Sequence, residues 1–345
     1  MIDITGFLIN WLEYFAIYAI LAVTLSLESG ISGITNFGKV AFFGLGAYLG
    51  AIINTYLLLA ISGVDVVKAP PYTAEGVIAL IEISTLNPAL VLGVFTLSIL
   101  VSFIVTGVFG YLLTYPIIRV GSGFVGFTLL CVGEVLRGIY VNMEFVGGTN
   151  GMLGIPQPFI WLGIPMLSGL CYLLLSVTIL ALTYIVTDRI LGSPLGRTLR
   201  SIRDDDIAAL CLGKDVPKIK SKIFFLTSGF SGVAGTLYAC YVSSVNPQMF
   251  VTLVTFNVWA MIIIGGSESP IGAIIGALIL TLIERILPLI ASLNEYLPFT
   301  PDYLRPVFIG LIMTIVLIKY PRGLISMKPP KFIKSAVEEL IREAS

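Results

Sequence analysis

The chain contains no histidine in 345 residues. That absence removes the side chain most often used as a general base near neutral pH and the commonest ligand for transition metals. Charge is scarce as well: 12% of residues are charged, against roughly 25% in soluble domains. Twenty Lys/Arg balance twenty Asp/Glu to a net charge of zero, so the basic surface that nucleic acid requires is missing. Cys131, Cys171, Cys211 and Cys240 lie far apart with no CxxC spacing, which argues for packing rather than a disulfide or zinc framework. No basic segment or small-residue cleavage site precedes the first apolar run, so no cleaved signal peptide is expected. No cofactor site is expected either, and no paired nucleophile and base point to an enzyme.

Apolar residues fill the space these absences leave. They make up 57% of the chain and fall in runs of about 20, the length that crosses a hydrocarbon core of ~30 Å. The short alternating segments of a membrane barrel do not occur. The expectation is an all-α, polytopic helical membrane protein in contact with lipid. Runs near 7–27, 29–61, 89–113, 123–141, 164–186, 223–243, 251–264, 271–290 and 303–318 give nine crossings, or eight or ten if a glycine-broken stretch does not cross fully. A transmembrane domain is expected over 1–330, with a charged loop at 187–222 inside it and an amphipathic tail at 331–345.

Two stretches should interrupt the helices. Gly30, Gly33, Gly38, Gly44, Gly46 and Gly50 make a smooth helix improbable over 29–51 and favour a broken helix or close small-residue packing. GGSESP at 265–270 is the second. The segments FFGLGAYLGAII (42–53) and SPIGAIIGALIL (269–280) share glycine-alanine pairs after a break, a faint sign of the internal duplication that marks transport pathways. A turn is expected near Pro116, Arg119 and Gly121.

Charge sets the sides. Fourteen of the twenty Lys/Arg lie in the 187–222 loop and the tail from Lys319, so both, and the C-terminus, are expected in the cytoplasm. Nine crossings then put the N-terminus outside. The acid-leaning loop 62–87 and the Lys/Arg-free stretch 142–160 belong outside, and Gly147, Gly148 and Asn150 of its GGTNG turn are candidates for docking an external protein. In the tail, Phe332, Ile333, Ala336, Val337, Leu340 and Ile341 share one helical face.

The loop holds a short helix signal. Asp204 can cap it, Asp205 and Asp206 suit its positive end, and Gly213 can stop it. Ala208 and Ala209 give it small side chains that a cytoplasmic partner could approach closely. Elsewhere Glu134 and Arg137, three apart, can pair on one helix face; they line the translocation route or form a structural pair near the outer end. Glu268, in the GGSESP break, is the best single candidate for a pathway charge. Glu13, Glu284 and Arg285 read as interfacial anchors, and Glu28 could meet amides freed by the glycine break. Gly33 to Lys39 fits GxxxxGK, but Val40 stands where magnesium needs Ser or Thr, so any ATP is held by another subunit.

NFGKVAFFGLGAY, GEVLRGIYVN with GGTNGMLGIP, GRTLRSIRDDDIAALCLG, and GFSGVAGTLYA with GGSESPIGAIIGA occur in that order over most of the chain. With them the chain resembles the inner-membrane permease subunits of branched-chain amino-acid ABC importers, of the LivH/LivM type and closer to LivM. The resemblance implies a permease that does no chemistry itself and works with a second permease, two cytoplasmic ATPase subunits and an extracytoplasmic solute-binding protein. It also implies that Ala208, Ala209 and Gly213 belong to the helix that couples to the ATPase, a helix whose start the capping reading assigns to Asp204 and Asp206. Departures stand at Asp206 or Ile207 (often glutamate in the family), Lys39 (glutamine), Glu268 (glycine) and Asn150 (aspartate), which leaves the solute open among branched-chain amino acids, urea and short amides. The alternative is an ion-coupled secondary transporter using Glu134, Arg137 and Glu268 as a charge relay.

Overall fold

The computed structural model describes residues 4–64, 70–120, 122–292, 304–321 and 323–325. The expected tail helix at 331–345 lies outside them. The helices are α1 (Ile4–Leu25), α2 (Lys39–Ile52), α3 (Leu58–Ile61), α4 (Ala74–Leu86), α5 (Pro88–Val120), α6 (Ser122–Asn142), α7 (Pro165–Gly192), α8 (Pro194–Asp204), α9 (Asp206–Cys211), α10 (Val216–Val242), α11 (Thr252–Gly265), α12 (Pro270–Ser292) and α13 (Leu304–Lys319). Among the described residues seven helices are long and apolar enough to cross a membrane, and α11 and α13 are shorter apolar helices. The protein is a multi-pass helical membrane protein.

The two most enclosed helices organise the rest. α10 packs against α5 and α2, and α1 against α7, α12 and α10. Between helices in lipid there is no hydrophobic drive, so close backbone approach supplies the attraction. Here that approach is literal: a Cβ on Gly46 would lie 2.1 Å from the Gly232 carbonyl oxygen, and one on Gly235 would lie 2.0 Å from that of Phe43. Thr236 Oγ1 donates to the Gly46 carbonyl at 3.0 Å, binding α10 to α2 at the same place.

Over 29–51 the structure has both a break and close small-residue packing: α2 runs unbroken through Gly44, Gly46 and Gly50, where the glycine helix penalty of ~1 kcal/mol each is offset by the contacts they allow. The break is confined to residues 32–38, after a wide π-helical turn at Ser26–Ile31 that prolongs α1. α5 continues through Pro116 rather than turning there, since in a bundle the lost backbone bond can be met by neighbours. The outer loop expected at 62–87 contains α4, capped by Thr73, whose hydroxyl accepts from Gly76 N.

On that side a two-stranded ladder, β1 (Met152–Leu153) with β2 (Ser244–Val245), pairs antiparallel and binds the 142–164 segment to the end of α10. At the opposite end α8 and α9 sit on the mouths of α1 and α10. Leu199 packs with Leu27, Ile31, Leu191 and Ile223, while Ile202 packs with Ala209 and Val216.

Replacing Gly46 or Gly235 by leucine is expected to exceed ordinary overpacking, which costs about 1–3 kcal/mol, because the obstacle is backbone. Gly93→Leu, at an exposed site with nothing within 4 Å, is the control. Thermal denaturation in detergent should show a large fall in midpoint for the first two and little change for the control.

Candidate functional site

Three features make up the site: a buried ion pair at the α1 break, the α8–α9 hairpin, and a cavity beside α11. The break comes first because it is costly. Lys39 and Glu28 are each almost wholly enclosed and meet at 2.9 Å between Nζ and Oε1. Asn36 Nδ2 donates to the other carboxylate oxygen at 2.9 Å, and Asn36 Oδ1 accepts from Gly38 N at 2.9 Å. The Asn36 carbonyl accepts from Trp259 Nε1 at 2.9 Å, and Val40 N donates to Thr255 Oγ1 at 3.0 Å. A buried charge is tolerated only when paired and hydrogen-bonded; here the partners come from both sides of the break and from Asn36 within it, and α11 holds the neighbouring backbone. The amine of Lys39 is thereby committed, so Gly33 to Lys39 is not a phosphate cradle.

In the loop the cap is Asp205, not Asp204. Asp205 Oδ1 accepts from Ile207 N at 2.9 Å and Ala208 N at 3.0 Å, whereas Asp204 closes α8 and is exposed. Asp206 binds Lys220 Nζ through both oxygens at 2.9 Å, tying α9 to α10. Gly213 stops the helix with φ +76°; its N–H donates to Leu210 O and that of Lys214 to Ala209 O at 3.1 Å, the Schellman pattern. Of the alanine pair, Ala209 is buried against Ile202 and Val216, and Ala208 faces out. Around it Ile207, Leu210 and Leu212 are 73%, 50% and 80% exposed. These three side chains form an apolar patch on an otherwise charged loop.

The other candidates are placed as follows. Glu134 accepts from Arg137 at 2.8 Å and from Thr252 Oγ1 at 2.6 Å, joining α6 to the start of α11. Glu268 lies beyond the far end of α11 and binds Arg203 of α8 at 2.8 Å. Gly147 and Gly148 adopt positive φ in a hydrogen-bonded turn, with Asn150 exposed. Glu13 and Glu284 are buried in protein, not interfacial: Glu284 accepts from Tyr14 OH at 3.1 Å and Asn257 Nδ2 at 2.9 Å. Arg285 lies over the Tyr14 ring at 4.5 Å and donates to Tyr241 OH.

Of these groups Tyr14 and Asn257 line a cavity of about 710 Å³ between α1, α11, α13 and the 247–251 turn. Its wall carries Tyr14, Tyr18, Phe37, Tyr238, Phe256 and Trp259, with Asn257 and Gln248 as polar points. At 14 residues, α11 is about 21 Å long, too short for a hydrocarbon core of ~30 Å. Its irregular ends are therefore covered by protein or border a cavity, the two places where they can be tolerated.

Residues 7–317 match the family model described as "Branched-chain amino acid transport system / permease component". The chain belongs to this permease family. It is 28% identical to the probable branched-chain amino acid transport permease protein LivM of Methanocaldococcus jannaschii, over 95% of each chain. It is 26% identical to the high-affinity branched-chain amino acid transport system permease LivM of Escherichia coli, over 91% of this chain and 69% of that one. It is 24% identical to BraD of Pseudomonas aeruginosa over 92% and 94%. No solved structure matches.

Sequence reasoning missed the Glu28–Lys39 pair and the partners of Glu268 and Glu284. Opposite charges flanking a glycine break in an apolar region were the available signal for the first. Removing one member of that pair, as in Lys39→Met or Glu28→Leu, should destabilise the protein by about 3–5 kcal/mol, while the double variant should recover much of the loss; thermal midpoints of the three variants in detergent read the cycle.

Proposed function

We propose that this permease moves branched-chain amino acids, or a similarly small amphipathic solute, across the cytoplasmic membrane as part of an ATP-binding-cassette importer. It works beside a second permease, with two ATPase subunits on the cytoplasmic side and a solute-binding protein outside. The observation that carries this reading is the outward face of α9. Ile207, Ala208, Leu210 and Leu212 stand clear of a loop otherwise rich in charge, on a helix fixed from behind by Ala209 and by the Asp206–Lys220 bond. A fixed apolar face, with one small residue at Ala208 among larger aliphatics, on the basic side of the membrane suits insertion into a cleft of a soluble partner.

The cavity suits the cargo. Its aromatic wall can take an aliphatic side chain, and Asn257 and Gln248 can hold polar ends. With affinity set by the external protein, the cavity itself needs no tight grip. On the outer side, the Gly147–Gly151 turn is held against β2 and offers the solute-binding protein a fixed surface. The concentration of Lys/Arg in the loop and tail supports a cytoplasmic C-terminus.

The charge-relay alternative has lost its geometry. Glu134 engages one end of α11 and Glu268 lies beyond the other, separated by the helix length of about 21 Å, and each is already paired with an arginine. Ala208→Arg should therefore abolish both ATPase co-purification and at least nine-tenths of uptake, with membrane abundance unchanged. Normal docking and uptake in that variant would contradict the coupling role of α9.

A further inference from the structure

One side chain of the loop reaches past its own hairpin into the membrane domain. Arg203, in the last turn of α8 and two residues before the cap of α9, sends Nη1 to the carbonyl of Gly30 and to Glu268 Oε1 at 2.8 Å. The two acceptors belong to different breaks. Gly30 is in the wide turn that ends α1, and Glu268 is in the turn joining α11 to α12.

These breaks also touch each other. Ser26 Oγ donates to the Ser267 carbonyl at 2.7 Å, and a Cβ on Gly30 would lie 1.9 Å from that same oxygen. The end of α11 is held a third time, where Leu324 N and Ile325 N, just after α13, donate to the carbonyls of Ile264 and Gly265 at 3.0 and 2.9 Å. From this knot α11 runs alongside the cavity with Asn257, Ala260 and Ile263 in its wall, while the α1 side continues into Glu28, Asn36 and Trp259.

We infer that Arg203 is the positioning residue that transmits displacement of the α8–α9 hairpin to the two broken helices bordering the cavity, with Glu268 as its counter-charge. Arginine suits this role because one guanidinium nitrogen, Nη1, carries two N–H donors and serves the carbonyl and the carboxylate together, where a lysine offers a point charge on a flexible stem. Hydrophobic contacts alone would let α8 slide on Leu27 and Ile31, whereas a charge-assisted bond to each break fixes direction. Glu268 thus stands at a mechanical joint, not along the solute path. The inference rests on the proposed docking of α9 to the ATPase.

The test uses the full transporter, with both permeases and both ATPases, in proteoliposomes supplied with the binding protein and leucine, measuring uptake and ATP hydrolysis together. Arg203→Glu and Glu268→Arg should each leave ATPase co-purification intact and lower leucine moved per ATP hydrolysed at least tenfold. The exchanged pair, Arg203→Glu with Glu268→Arg, should recover a third or more of the ratio, and Arg203→Lys should fall between. A ratio within twofold of the parent in the single variants, or no recovery in the exchanged pair while it still assembles, would overturn the inference. Should Arg203→Glu fail to assemble, the milder Glu268→Gln decides: a ratio unchanged from the parent counts against the joint, and a ratio lowered at least threefold counts for it. Failure of the unmodified chain to bind ATPase subunits would instead overturn the docking of α9, and the joint with it.

Discussion

The Glu28–Lys39 ion pair is the constraint on which the membrane domain depends. Two charges taken from water cost several kcal/mol each, and they are recovered only because Asn36 and the start of α2 complete the shell. The pair lets α1 end inside the protein, lets residues 32–38 leave helical geometry there, and lets α2 begin at Lys39. Trp259 and Thr255 fasten α11 to the same segment, so the break and the cavity wall share one foundation.

From that foundation the shape of the rest follows. A short α11 needs covered ends; one meets Glu134 and Arg137 through Thr252, and the other meets Ser26, Gly30 and Arg203 through the 266–268 turn. Glycines at the α2–α10 contact bring backbones together where lipid offers no hydrophobic drive, which gives the domain a stiff centre. Two irregular stretches, residues 26–38 and 266–269, meet beside α8.

Much of the fold was legible from composition. Apolar runs of spanning length locate the helices because lipid demands internally satisfied backbone, and a loop of eight Lys/Arg and five Asp cannot enter it. The α9 helix was readable because caps are local chemistry: an aspartate before it and Gly213 after it. Even so, three consecutive aspartates offered the same chemistry three times, and only the fold assigns the cap to Asp205 and the lysine clamp to Asp206. Through-space pairings were not readable at all. Glu268 and Arg203 are 65 residues apart, and Glu284 meets Tyr14 across 270; a lone carboxylate in an apolar run looks the same whether it anchors at an interface or lies beneath an aromatic cavity. Gly44, Gly46 and Gly50 announced either a break or close packing, and only the fold assigns the packing to them and the break to residues 32–38 before them.

Coupling through the α8–α9 hairpin requires that it face the cytoplasm. Cys211, exposed on α9, reports its side directly once Cys131 and Cys171 are replaced by alanine. With a membrane-impermeant maleimide, Cys211 should be modified in inside-out vesicles, protected in right-side-out vesicles until they are opened by detergent, and shielded when the ATPase subunits are bound. Modification of Cys211 in sealed right-side-out vesicles would contradict the coupling role and the importer built on it.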